Sequence, residues 1–168
     1  KASDTKSPYD IEKLLADNPN SPEYGPFGAM HHWGEPMLGY YVANDRWVIR
    51  KHAQMLTDAG VDAIFFDVTN GYHYLPVVQV ICEEYTKMRA EGSNTPQFAF
   101  LVSANAGGMV DYLYKEIYSK GLYKDLWYNW LESPLILADK SAVTDPEQLN
   151  FFTFRHSWFT WNNDGADA

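Results

Sequence analysis

The sequence predicts an α/β fold in which a parallel sheet is covered by helices. Three observations carry that prediction. Continuous apolar runs, VDAIFFD at 61–67 and QFAFLVSA at 97–104, have the length of strands buried on both faces. Segments with apolar residues at helical spacing alternate with them. Gly, Pro and Asn-Gly signals fall between the two kinds of segment, where helices and strands should stop.

Residues 1–27 form an N-terminal extension rich in Pro, Ser, Asn and Asp, interrupted by a short helix over Tyr9–Asp17. GAMHHW (28–33) follows as a first short strand, and GEPMLGYY as a loop. From Asp45 onward, Val48, His52, Met55, Leu56 and Ala59 recur at helical spacing. Asn44 or Asp45 can cap this helix, and Gly60 can end it in the left-handed conformation. Residues 61–67 are then a buried strand, and Asn70-Gly71 marks a turn. Pro76 suits the first position of a second helix, which runs to Glu91 and stops at Gly92.

QFAFLVSA is the second buried strand, and a third helix spans Gly108–Lys120 before Gly121. DLWYNW (125–130) and PLILAD (134–139) read as strands joined by a turn at Leu131–Ser133. Asp145-Pro146 opens a short helix, and FFTFRHSW (151–158) is the last strand. Two architectures fit this order, an open doubly wound sheet or a (β/α) barrel. About five strands are of barrel type, against eight in a complete barrel of about 250 residues. Residues 28–168 therefore read as one domain, partial if it is a barrel, and the ending TWNNDGADA, which has no closing helix, is consistent with a truncated chain.

Composition narrows the partners. The net charge of −9 argues against a nucleic-acid partner, which needs concentrated Lys and Arg, and gives no support to an anionic membrane surface. No apolar stretch is long enough for a transmembrane helix. The one cysteine, Cys82, permits no intrachain disulfide and no Cys-based metal site, and it reads as a small buried apolar residue. The polar start at Lys1 suits a trimmed N-terminus, with a removed export signal or a recombinant boundary as its origin. Six Trp and twelve Tyr supply both core and surfaces on which sugar rings can stack.

In either architecture ligands bind beyond the carboxyl ends of the parallel strands. Those ends carry His31, His32 and Glu35; Asp67, Thr69 and Asn70; Ser103 and Asn105; Asp139; and His156 and Trp158. Trp130 and Glu132 are expected beside them, at the turn of the strand pair. A glycosidase needs two carboxyl groups flanking the scissile bond, and Asp67 and Glu132 are the first choice, with Glu35 next. Turn formation and capping are the alternatives for Asp67 and Asn70, and a solvated turn for Glu132. His32, Trp33, Tyr41, Asn70, Asn105, Trp130, His156 and Trp158 are the expected substrate contacts, with Trp33, Tyr41, Trp130 and Trp158 as stacking surfaces. His31-His32 lacks partners at metal-ligand spacing, so no metal is expected. No G-x-S-x-G, G-x-G-x-x-G or Walker pattern occurs, and no cofactor is expected. FFDVT is loosely similar to the first motif of phosphatases with an aspartyl nucleophile, but Thr69 stands where those enzymes carry a second Asp.

HHWGEPMLGYY, the block DRWVIRKHAQMLTDAGVDAIFFDVTNG, PLILAD and FFTFRHSW together resemble secreted bacterial glycoside-hydrolase-type barrels. They are similar to the families that hold endo-α-mannosidases and α-1,3-glucanases. The resemblance implies a (β/α)8 TIM-type barrel with its N-terminal part in this chain and the rest of the barrel as its complement. It further implies a carbohydrate substrate, export to the periplasm or cell surface, and Asp67 at the sugar site. LESPLILAD departs from the family pattern, in which Gly-Lys precedes the Pro; Glu132 and Ser133 stand there instead. The expected function is hydrolysis of glycosidic bonds in a polysaccharide or glycan, with a non-catalytic carbohydrate-binding barrel as the alternative.

Overall fold

The computed structural model describes residues 36–156. The helix expected over Tyr9–Asp17, the strand expected at 28–33, and the last strand beyond His156 lie outside these residues.

Helix α1 (Arg46–Asp58) starts where Asp45 accepts the Val48 N–H on its side chain, and the chain turns at Gly60 with φ +72°. Strand β1 (Ala63–Asp67) follows, and then helix α2 (Leu75–Ala90), with Pro76 in its first turn. Strand β2 (Gln97–Leu101) leads to helix α3 (Ala106–Leu113). That helix continues into a widened π turn, Tyr114–Tyr118, which sets Tyr114, Ile117 and Tyr118 into the core. Strand β3 (Asn129–Trp130), strand β4 (Ser133–Leu137), helix α4 (Pro146–Phe151) and strand β5 (Thr153–Arg155) complete the described chain. The helices and buried strands thus fall where the sequence places them.

The parallel strands lie in the order β1, β2, β4, β5, each beside its predecessor in the chain. Alternation along the strands divides the sheet cleanly. Ile64, Phe66, Val68, Phe98, Phe100, Val102, Ile136, Ala138 and Phe154 join one core cluster with residues of all four helices and the π turn. Phe65, Ala99, Leu101, Leu135 and Leu137 alternate with them and stand outside that cluster. All described helices therefore pack on one face, as right-handed crossovers require when strand order never reverses. Burying Phe98 and Phe100 completely contributes on the order of 2–3 kcal/mol each before the entropy of ordering them.

DLWYNW is not the full strand the sequence predicts. Its first part forms a 3-10 turn, Lys124–Leu126, and only Asn129 and Trp130 form strand β3, antiparallel to β4. Tyr128 N–H donates to Phe98 O, and Leu135 N–H donates to Tyr128 O. The segment thus wedges between the first halves of β2 and β4, which pair directly only at Phe100↔Ile136 and Leu101↔Leu137. Trp127 explains the wedge: its ring is buried against Tyr118 and Phe151, while Tyr128 turns to the other face and meets Phe65.

Candidate functional site

The carboxyl ends of the parallel strands form one edge of the sheet. Asp67 ends β1 in register with Leu101, and Leu101 is in register with Leu137. Val68, Val102 and Ala138, one step along, all point into the helix-covered core. Asp67, Ser103 and Asp139 therefore share the face opposite the described helices, and Arg155, level with Leu137, shares it too.

Two of these ends are built alike. Asp67 accepts the Thr69 N–H on Oδ1 at 2.9 Å. Asp139 accepts the Ser141 N–H at 2.9 Å and the Ser141 hydroxyl at 2.7 Å, again on Oδ1. An apolar strand followed by Asp-x-Thr or Asp-x-Ser thus makes the same local turn twice. Each turn fixes its carboxylate through one oxygen, and Oδ2 of both has no partner among the described residues. The Ser141 hydroxyl and N–H hold the Asp139 carboxyl below the usual carboxylate range, and the nearby His156 adds to the effect. His156 closes this edge, exposed beyond β5.

The loop after β1 completes the edge. Asn70 Oδ1 accepts the Tyr72 N–H and its Nδ2 donates to the Tyr74 hydroxyl, so the side chain is committed to shaping the loop. Asn105 takes the left-handed conformation, φ +51°, at the start of α3, and its amide lies over Gly108, where a Cβ would sit 2.5 Å away. Gly107 is equally constrained, because a Cβ there would approach Ala142 O to 2.2 Å. The start of α3 is thereby pressed against the turn that carries Asp139.

The other expected site residues separate from this edge. β3 runs antiparallel into β4, so the Leu131-Glu132 turn precedes β4 and lies at the amino end of the sheet. Glu132 stands five residues before Leu137, about 16 Å along the strand from the level of Asp67. Asp67 and Glu132 therefore do not flank one bond, and Trp130 shares the displacement of Glu132. Glu132 instead lines an open depression of about 640 Å³ with Gln97, Lys124, Asp125, Asn129 and Asn150. Both Leu131 and Glu132 have positive φ, +53° and +71°, in a two-residue turn that normally takes Asn-Gly. Tyr41 packs edge-on to His52 on α1. His32, Trp33, Glu35 and Trp158 lie outside the described residues.

Asp139 stands among the expected strand ends but not among the expected catalytic carboxylates. The signal that singles it out was present: LADKS repeats the apolar-Asp-x-hydroxyl order of FFDVT. Among the described residues no group of three or more His, Cys, Asp or Glu is placed to hold a metal ion. No described helix is long and apolar enough to cross a membrane.

Fold and edge together define an α/β protein with a parallel sheet, the described helices on one face and an acidic strand-end edge on the other. No protein family, curated protein or solved structure was found to match the chain.

Proposed function

We propose that the chain is part of a (β/α)-barrel glycoside hydrolase whose carboxyl pair is Asp67 and Asp139. The observation that carries the reading is the matched pair of Asp turns at the carboxyl ends of β1 and β4, on the face opposite the described helices. Barrel closure is the reading of that face. An all-parallel sheet is stable when both faces are covered, and helices on one side leave the other to be covered by the sheet curling on itself. An eight-stranded barrel needs strands beyond the four parallel ones described. Export to the periplasm or cell surface belongs to the same reading.

The chemistry follows from position. Two strand spacings separate Asp67 from the level of Leu137, and Asp139 lies two residues further, giving roughly 12 Å between Cα atoms. Aspartates reaching inward from that spacing bring their carboxyl groups toward the 6.5–9.5 Å that admits a water, the separation of inverting enzymes. Asp139, held ionised by Ser141, is the member that activates the water. Ser103 beyond β2 and His156 beyond β5 supply hydroxyl and imidazole groups for sugar hydroxyls.

A screen of α-linked glucans and mannans with the wild type, Asp67→Asn and Asp139→Asn tests the proposal. Turnover in the wild type, reduced at least 100-fold in each variant with glycan binding retained, is the expected result, and Glu132→Gln should match the wild type. Full activity in Asp67→Asn or Asp139→Asn removes that residue from the mechanism. Binding without turnover in the wild type makes the protein a carbohydrate-binding barrel instead. Magnesium-dependent phosphate release lost in Asp67→Asn would favour the aspartyl-nucleophile phosphatase.

A further inference from the structure

We infer that Tyr72 and Tyr74 form a platform on which at least two consecutive sugar rings stack, making the ligand a chain rather than a single sugar; this rests on the carbohydrate reading above. The loop that carries them leaves β1 at Asp67 and joins α2, so the platform borders the acidic edge. The two rings are 57% and 48% exposed, lie 6.1 Å apart and are tilted by 34°. Two large aromatic side chains held side by side and half-exposed offer a contiguous apolar surface that a ligand can cover. Phenol rings suit pyranose faces, because an apolar surface meets the C–H groups and a hydroxyl rim meets the sugar's polar edge.

The loop is exposed yet firmly pinned. Asn70 fixes the backbone of Tyr72 at 3.0 Å and the hydroxyl of Tyr74 at 2.8 Å. His73 accepts the Leu75 N–H on Nδ1 and stacks on Tyr112 with ring centres 4.3 Å apart. Gly71, φ +79°, brings the loop against Ala104 beyond β2. Tyr74 itself is left-handed, φ +48°, an unfavourable conformation for a bulky residue. It occupies the position before α2 where Ser, Thr, Asp or Asn would cap, and its side chain makes no cap bond. Helix capping therefore does not explain the residue, whereas a fixed, outward-facing ring does. Pinning both rings before binding removes the ordering cost that would otherwise weaken a stacking site.

The test is calorimetric titration of the full chain, as Asp139→Asn to prevent turnover, with α-linked gluco- and manno-oligosaccharides of increasing length. Affinity should rise about tenfold or more from monosaccharide to trisaccharide, and Tyr72→Ala and Tyr74→Ala should each remove about tenfold for the trisaccharide. Tyr72→Phe, which keeps the ring, should recover most of the affinity that Tyr72→Ala loses, which guards against a folding artefact; a phenylalanine variant as weak as the alanine one overturns stacking as the cause. Affinity independent of chain length, or alanine variants that bind the trisaccharide like the parent, overturns the platform. If the carboxylate variants abolish turnover while the tyrosine variants do nothing, this inference alone falls. If no glycan binds at all, the carbohydrate reading falls with it.

Discussion

Removing the charge of Glu84 should loosen the joint between the first two helices. Glu84 lies on α2 and is only 3% exposed. Its carboxylate accepts from Arg46 at 2.5 Å, Lys87 at 2.8 Å and Arg50 at 3.5 Å, the two arginines reaching across from α1. Arg46 also pairs with Glu83, and Arg50 with Glu91. Hydrogen bonds from Lys87, then Arg46 and Arg50, outweigh the cost of burial and lower the Glu84 carboxyl from 4.5 to about 2. At about 1.36 kcal/mol per tenfold change in proton affinity, that corresponds to roughly 3 kcal/mol at neutral pH. The cations are half-exposed and screened, so about 2 kcal/mol is the expected loss in Glu84→Gln.

The sign follows from the lowered value. The stabilisation is complete above the unfolded-state value near 4.5 and disappears as pH falls through about 2. Urea denaturation followed by circular dichroism at pH 7 and pH 3 measures both quantities. The gap between wild type and Glu84→Gln should shrink to about half or less at pH 3. Coincident transitions at pH 7 would refute the clamp, and a gap unchanged at pH 3 would show that packing, not charge, holds the helices together.

Other changes probe the core and the two ends of the sheet. Tyr118 is buried and its hydroxyl has no partner among the described residues, so Tyr118→Phe should leave thermal stability unchanged or raise it by about 1 kcal/mol, as calorimetry would show. Replacing Leu131-Glu132 by Asn-Gly relieves two left-handed residues; it should stabilise the chain by about 1–2 kcal/mol in urea titration and leave any glycan turnover intact. Gly107→Ala would drive a methyl group into the Ala142 carbonyl, costing about 1–3 kcal/mol and displacing the Asp139 turn. Its melting temperature and turnover should therefore fall together.

The secondary structure was largely legible because it rests on local pattern. Asp45 and Gly60 bound α1, Pro76 and Gly92 bound α2, and the runs at 61–67 and 97–104 are the buried strands β1 and β2. DLWYNW misleads because Trp127 and Tyr128 satisfy strand propensity while packing as a wedge, a tertiary outcome that periodicity does not encode. The site was legible only in part. Asp67 lies at a strand end as its sequence position implies. The direction of β3 decides which end of the sheet holds Glu132, and a hairpin leaves no trace of that in composition. The sequence places the turn at Leu131–Ser133 even without Asn-Gly, but that turn opens β4, and Glu132 therefore falls at the amino end of the sheet.

The order of the sheet has a consequence for how the chain acquires its structure. Each parallel strand pairs with the one made before it, Ala63 with Gln97, Phe100 with Ile136 and Leu135 with Thr153. Among the described parallel strands, none must wait for a later one to slot between two neighbours already paired. Growth can therefore proceed from the amino end as synthesis advances, every new strand–helix unit finding its template in place. Loop closure then spans only neighbouring units, which keeps contacts comparatively local for a parallel sheet and favours rapid assembly. The wedge at Trp127 is the exception, and it must settle before β4 can zip onto β2.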